Sequence, residues 1–139
     1  LISFNLQAAQ AAQSIFFPMI LPGLNESLGK ANKRYGPTNA YAEMKVKIET
    51  DLRYYINSHR LVPMKAVCME YLWKEKDRRR DPDNIISAKK YINDALVKAG
   101  ILPGDGQKVI KGITDHWEVD AQHPGVLVTL TPSYPNCLK

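Results

Sequence analysis

The sequence predicts an α+β domain, a small mixed β-sheet with two main α-helices packed on it. Two long segments repeat apolar residues at helical spacing, and four shorter ones read as strands. At 139 residues, with 45% apolar and 24% charged side chains, the chain suits one globular domain with its own core.

Leu1–Ser14 is Ala/Gln-rich and reads as an N-terminal extension, helical or a leader added for expression, to which no function is assigned. Gln7, Gln10 and Gln13 interrupt it and no basic start precedes them, so it is neither a convincing signal peptide nor long enough to span a bilayer. A single domain is expected over residues 15–139. Ile15–Leu21, rich in Ile and Phe and closed by Pro22-Gly23, reads as a buried strand. Lys30, Lys33, Arg34 and Tyr35 fall in a polar loop that either touches phosphate or is a solvated connector. From Thr38 to His59, Met44, Ile48, Leu52 and Ile56 recur every four residues, the pattern of an amphipathic helix with Thr38 or Asn39 as its cap. Val67, Met69, Tyr71 and Trp73 alternate through Met64–Lys74, a strand that leads into Lys74-Glu75-Lys76-Asp77-Arg78-Arg79-Arg80. Ile85, Ala88, Ile92, Ala95, Leu96 and Ala99 mark the core face of a second helix, Asn84–Ala99, which stops at Gly100. A Gly/Pro-rich turn carrying Asp105 follows, then strands Val109–Val119 and Val126–Thr131.

A formal charge of +5 suits a polyanionic partner without establishing one. Cys68 and Cys137 lack CxxC spacing; Cys68 lies in an apolar run and is expected to pack as a small hydrophobe, with a reducing, intracellular setting as the default. His59, His116 and His123 show no HxxxH or HxH metal spacing, and no serine has nucleophile-elbow context. Trp73 and Trp117 are read as core or dimer surface, with stacking on an unpaired base as the alternative.

The chemistry concentrates in Arg79-Arg80-Asp81-Pro82-Asp83-Asn84. Two ionised carboxylates held close together repel unless a cation sits between them, and a divalent metal is the usual one. Pro82 disfavours the helical region for Asp81, so the stretch is expected to be extended, with residues i and i+2 on one face. Asp83 or Asn84 is then free to cap the following helix. For the tetrapeptide alone, an exposed turn that only starts a helix is the commoner reading. Asp105, a lone acid between glycines, shifts that balance. A helix over Asn84–Ala99 is roughly 24 Å long at 1.5 Å per residue, so Asp105 meets the pair only if its loop folds back along the helix.

Arg80-Asp81-Pro82-Asp83-Asn84, followed by Asp94-Ala95-Leu96, Lys98-Ala99-Gly100 and Asp105-x-Gln107-x-Val109, resembles the RusA family of Holliday junction resolvases, often carried by phages and prophages. The match covers most of Arg78–Ile110, about a quarter of the chain, and its order and spacing make it far more specific than the acidic pair alone. Leu21-Pro22-Gly23-Leu24-Asn25 is a weaker match to the Pro-and-Asn segment after that family's first strand. The resemblance implies a homodimeric Mg²⁺-dependent endonuclease, with Mn²⁺ as a substitute and no organic cofactor. It would cut four-way DNA junctions in the cytoplasm of a bacterial or phage-infected cell, away from membranes.

The resemblance further implies Asp81, Asp83 and Asp105 as catalytic metal ligands and a catalytic lysine on the intervening helix. Counting back one turn from Asp94 lands on Lys90. Counting forward from Asp83 lands on Ser87, because familiar shorter members have three fewer residues there. Three helical residues turn the helix by about 300°, some 60° out of register, so Lys89 stays a rival to the preferred Lys90. Arg78, Arg79, Arg80, Lys89 and Lys98, with Lys30, Lys33 and Arg34 upstream, are the expected DNA contacts, chiefly to phosphates.

Three other readings compete. An EF-hand calcium loop needs Gly at its sixth position and Glu at its twelfth, where this chain has Ile86 and Ile92. A DxD nucleotide-sugar transferase needs a donor-binding domain for which 139 residues leave little room. A non-catalytic basic DNA- or RNA-binding module, in which the acids only start a helix, is the closest rival.

Overall fold

The computed structural model describes residues 11–31, 40–133 and 137, without the side chains of residues 30 and 31. Its elements are β1 (Gln13–Phe17), α1 (Leu24–Ala31), α2 (Ala40–His59), β2 (Val67–Glu75), α3 (Pro82–Ile86), α4 (Lys89–Lys98), β3 (Ile110–Val119) and β4 (Gly125–Pro132). The fold is α+β, with one mixed sheet in the order β1-β4-β2-β3. β2 and β3 are parallel and the other two pairings antiparallel. Parallel neighbours need a crossover, and α3 and α4 are part of it. The acidic turn therefore begins just past the carboxyl end of β2.

Alternation decides which face of the sheet is dry. Met69, Tyr71 and Trp73 of β2, Val126, Val128 and Leu130 of β4, and Ile15 and Phe17 of β1 are buried. They form one core with Ile48, Leu52 and Ile56 of α2 and Ile92, Ala95 and Leu96 of α4. Both predicted amphipathic stripes thus pack as expected. Among the described residues no helix is long and apolar enough to cross a membrane.

Several boundaries differ from the sequence reading. β1 stops at Phe17 because Pro18 has no N–H to give a ladder. It also includes Gln13 and Ser14, two residues earlier than the expected strand; Gln13 pairs with Leu130 and donates to the Val62 carbonyl at 2.8 Å. Where a polar loop was expected, α1 forms and carries the backbone of Lys30, while Lys33, Arg34 and the expected caps Thr38 and Asn39 lie outside the described residues.

The second helix is broken between Ile86 and Lys89. Ser87 Oγ donates to the Asn84 carbonyl at 2.7 Å and accepts the Leu24 N–H at 2.7 Å, a side-chain competition with the helical ladder. Cys68 and Cys137 are disulfide-bonded, with Cα atoms 5.6 Å apart, which corrects the expectation of an unpaired packed thiol. Gly112, opposite Cys68 on β3, leaves room for the bridge, since a Cβ there would lie 2.9 Å from Cys137 Sγ. The reducing setting inferred from cysteine usage loses its basis.

Candidate functional site

Pro82 suits the first helical position, where its missing N–H costs nothing, and α3 starts on it. Asp81 is the N-cap at φ −71°, ψ 152°, extended as its proline neighbour requires. Its carbonyl accepts the N–H groups of Asn84 and Ile85 at 3.0 Å, while its side chain makes no cap hydrogen bond. Asp81 therefore takes the cap position expected for Asp83 or Asn84. Asp83 falls in the first helical turn, where free N–H groups favour an anion, so the extended spacing expected for the pair ends at Pro82. Both carboxylates are exposed, and neither has an ion-pair or side-chain hydrogen-bond partner among the described residues.

The turn is held from behind by Arg80, expected as a DNA contact, together with Glu75 and Glu26, which the sequence reading did not single out. Arg80 grips Glu75, the last residue of β2, through Nε–Oε1 and Nη2–Oε2, each 2.8 Å. Its Nη1 also donates to Glu26 Oε1 at 2.9 Å and to the Leu21 carbonyl at 2.8 Å. The hydrogen bonds to Glu75, opposed by partial burial, and then those to Glu26 hold the guanidinium pKa above its ordinary value. Burial works to raise the Glu26 pKa, but hydrogen bonds from Asn84, the Gly23 N–H and Arg80 prevail and bring it down to about 2.

The acidic turn also caps α1. Asn84 is buried; its Oδ1 accepts the Asn25 N–H at 2.9 Å and its Nδ2 donates to Glu26 Oε2 at 2.8 Å. Ser87 takes the Leu24 N–H, and Glu26 reaches back to the Gly23 N–H at 3.1 Å, half of a capping box. The N–H groups that a helix start leaves without partners are thus satisfied from the far side of the sequence. Gly23 permits the approach: a Cβ on it would lie 2.1 Å from the Asn84 carbonyl oxygen. Glycine three residues before Glu26 was the available sequence signal.

The two candidate lysines part company at the start of α4. Lys90 is exposed, with Nζ 2.6 Å from Asp105 Oδ2 and 3.0 Å from Asp94 Oδ1. Gly100 turns the chain at φ 81°, and the N–H groups of Ile101 and Leu102 both bond the Leu96 carbonyl, so the following loop folds back along α4. That return brings Asp105 to Lys90. Hydrogen bonds to Asp105 and then Asp94 raise the Lys90 pKa, and the Lys90 ammonium lowers that of Asp105. Lys89 instead pairs with Asp115 of β3, over the Tyr71 ring at 5.1 Å.

Of the five expected DNA contacts whose side chains are described, four have protein partners. Arg79 pairs with Asp77 at 3.6 Å but stays exposed, Lys98 bridges to Glu49 of α2 at 2.7 Å, and Arg80 is enclosed in its brace. Arg78 is exposed, with no ion pair among the described residues. Asp81 and Asp83 adjoin in one turn, but Asp105 is engaged by Lys90. Among the described residues no three of His, Cys, Asp and Glu are grouped to hold a metal. Two exposed carboxylates and water are the kind of hard oxygen donors that Mg²⁺ takes, whereas the three-acid site is not assembled among the described residues. No protein-family model matches the chain, and no curated protein matches it.

Proposed function

We propose that the chain is a Mg²⁺-dependent, structure-selective endonuclease of the RusA type that hydrolyses phosphodiesters at four-way DNA junctions. The observation that carries this reading is the state of Asp81 and Asp83. Among the described residues the two carboxylates have no side-chain partner and stand exposed beside an arginine run, although Arg79 and Arg80 both pair with other acids. A turn so firmly braced yet unneutralised is suited to an external cation.

Asp81 and Asp83 would hold Mg²⁺, which accepts hard oxygen ligands and keeps several waters. Held by these two residues, a Mg²⁺ ion would lower the pKa of a water and neutralise charge on the scissile phosphate. Arg78 and Arg79 hold flanking phosphates, fixing position without reading sequence. Lys90 stays protonated at neutral pH and serves the developing negative charge. Asp105 orients Lys90 in this arrangement, and to serve as a third ligand it must release that lysine. Two symmetric cuts in a two-fold junction call for two sites, hence a homodimer. The substrate places the enzyme in the cytoplasm, where thiols are kept reduced, and the Cys68–Cys137 bridge speaks against that location.

One observation favours a second reading, a non-catalytic basic DNA- or RNA-binding module: Asp105 is salt-bridged to Lys90 and does not join the acidic pair. Cleavage of a synthetic four-way junction with and without Mg²⁺ decides between them. The nuclease reading requires metal-dependent cutting lost in Asp81→Asn and Asp83→Asn; the module reading requires binding with no cutting under any condition.

A further inference from the structure

Beside the acidic turn lies a cavity of about 500 Å³. That volume falls within the roughly 300–1,000 Å³ of small-ligand sites. The start of α3 and the end of β3 bound it: Pro82, Ile85, Trp117 and Val119 supply apolar surface, and Arg78 and Glu118 are among its polar groups. Parallel register sets Trp73 and Trp117 opposite each other on β2 and β3, yet the two indoles differ. Trp73 is 2% exposed, stacks on Tyr71 with centroids 5.5 Å apart, and donates Nε1–H to Asp115 at 2.9 Å. Trp117 is 51% exposed and has no ring or hydrogen-bond partner among the described residues. Trp73 is occupied by the core, whereas Trp117 leaves a large apolar surface in water beside a cavity.

We propose that this cavity takes an unpaired nucleobase of DNA, stacked on Trp117, and that this contact registers the strand against Asp81 and Asp83. The proposal rests on the nuclease reading and deepens it by naming how the strand is placed. Charge selects the occupant. The carboxylates of Asp77, Asp81 and Glu118 on its lining repel a bare phosphate but can accept hydrogen bonds from the amino group of a base, while exposed Arg78 offers a cation to the phosphate next to it. The apolar walls and the indole suit a flat ring, and stacking on an aromatic side chain tolerates every base. An extruded base is the feature that separates a branch point or single strand from continuous duplex.

The test uses the full chain and a short single-stranded DNA carrying one 2-aminopurine, without added metal so that cutting does not intervene. Wild type and Trp117→Phe should quench the 2-aminopurine on binding. Trp117→Ala and Trp117→Leu should bind about tenfold or more weakly, as expected for a lost base stack. The leucine variant keeps apolar bulk without an aromatic face, so it separates stacking from packing, and thermal melts check that each variant folds. Equal binding by wild type and Trp117→Leu overturns the proposal, as does a wild type that leaves the 2-aminopurine unquenched. Junction cleavage with Mg²⁺ is read separately. A wild type that binds the strand through Trp117 but never cuts keeps the base site and sinks the nuclease reading. One that cuts while Trp117→Leu binds equally well sinks the base site alone.

Discussion

Arg80 lies flat against Glu75, with two parallel hydrogen bonds of 2.8 Å joining guanidinium to carboxylate at the end of β2. The Arg80 side chain is 17% exposed and that of Glu75 10%, so little water competes for the pair. Removing one partner of such a pair strands the other and typically costs about 3–5 kcal/mol, which makes roughly 3 kcal/mol the expected loss for Arg80→Met. Arg80→Lys keeps the charge without the fork and should fall between wild type and Arg80→Met in urea unfolding. Cleavage should drop in both, through displacement of Asp81.

Gly23→Ala is the sharpest test of how α1 meets the acidic turn. The added methyl would sit 2.1 Å from the Asn84 carbonyl and 2.4 Å from its Oδ1, and backbone cannot move aside as a side-chain tip can. Overpacking of this kind costs about 1–3 kcal/mol, to be read by thermal or urea unfolding. Gly29→Ala, with open space around the added Cβ, is the matched control and should leave stability unchanged or slightly raised.

Glu26 predicts an acid-side dependence of stability. Its carboxyl is brought from an ordinary 4.5 down to about 2 in the folded chain, so between those values the unfolded chain binds the extra proton. The contribution is therefore fully present above about pH 4.5 and is lost as pH falls toward 2. Melting temperatures across this window should fall more steeply for wild type than for Glu26→Gln. Parallel curves would remove Glu26 from the brace.

Lys89 and Lys90 separate by stability as well as by activity. Lys89→Met leaves the mostly buried Asp115 with its Trp73 hydrogen bond alone among the described residues, and a cost of about 1–3 kcal/mol follows for a carboxylate losing its cation. Lys90 is exposed, so Lys90→Ala should melt near wild type while losing junction cleavage at saturating DNA. Loss of cleavage in a well-folded Lys89→Met protein with Lys90→Ala fully active would reverse the assignment.

The two helical stripes and all four strands were legible because periodicity is a local property, and Ile48, Leu52, Ile56, Ile92 and Leu96 are buried as their spacing demands. The acidic pair was legible as a motif. What it rests on was not, since the Arg80–Glu26 and Asn84–Asn25 bonds join residues 54 and 59 positions apart. Helix α1 was missed because eight residues with two large apolar side chains, Leu24 and Leu28, are too short a run to show a period. The break at Ser87 was missed because it depends on the Leu24 N–H, supplied by a segment that only the fold brings near. Asp115 and Glu75 were not singled out, because nothing local distinguishes them from Glu70 or Glu118.

Cleavage of a four-way junction by Asp81→Asn and Asp83→Asn proteins, at saturating DNA and with Mg²⁺ added, tests the central claim most directly. Both side chains are exposed and without partners among the described residues, so both variants should melt like wild type and still bind the junction. Their cutting rate should fall on the order of 100-fold or more, the scale of several kcal/mol of lost transition-state stabilisation. A wild-type rate in either variant would contradict the assignment of that carboxylate, and a wild-type rate in both would contradict the account.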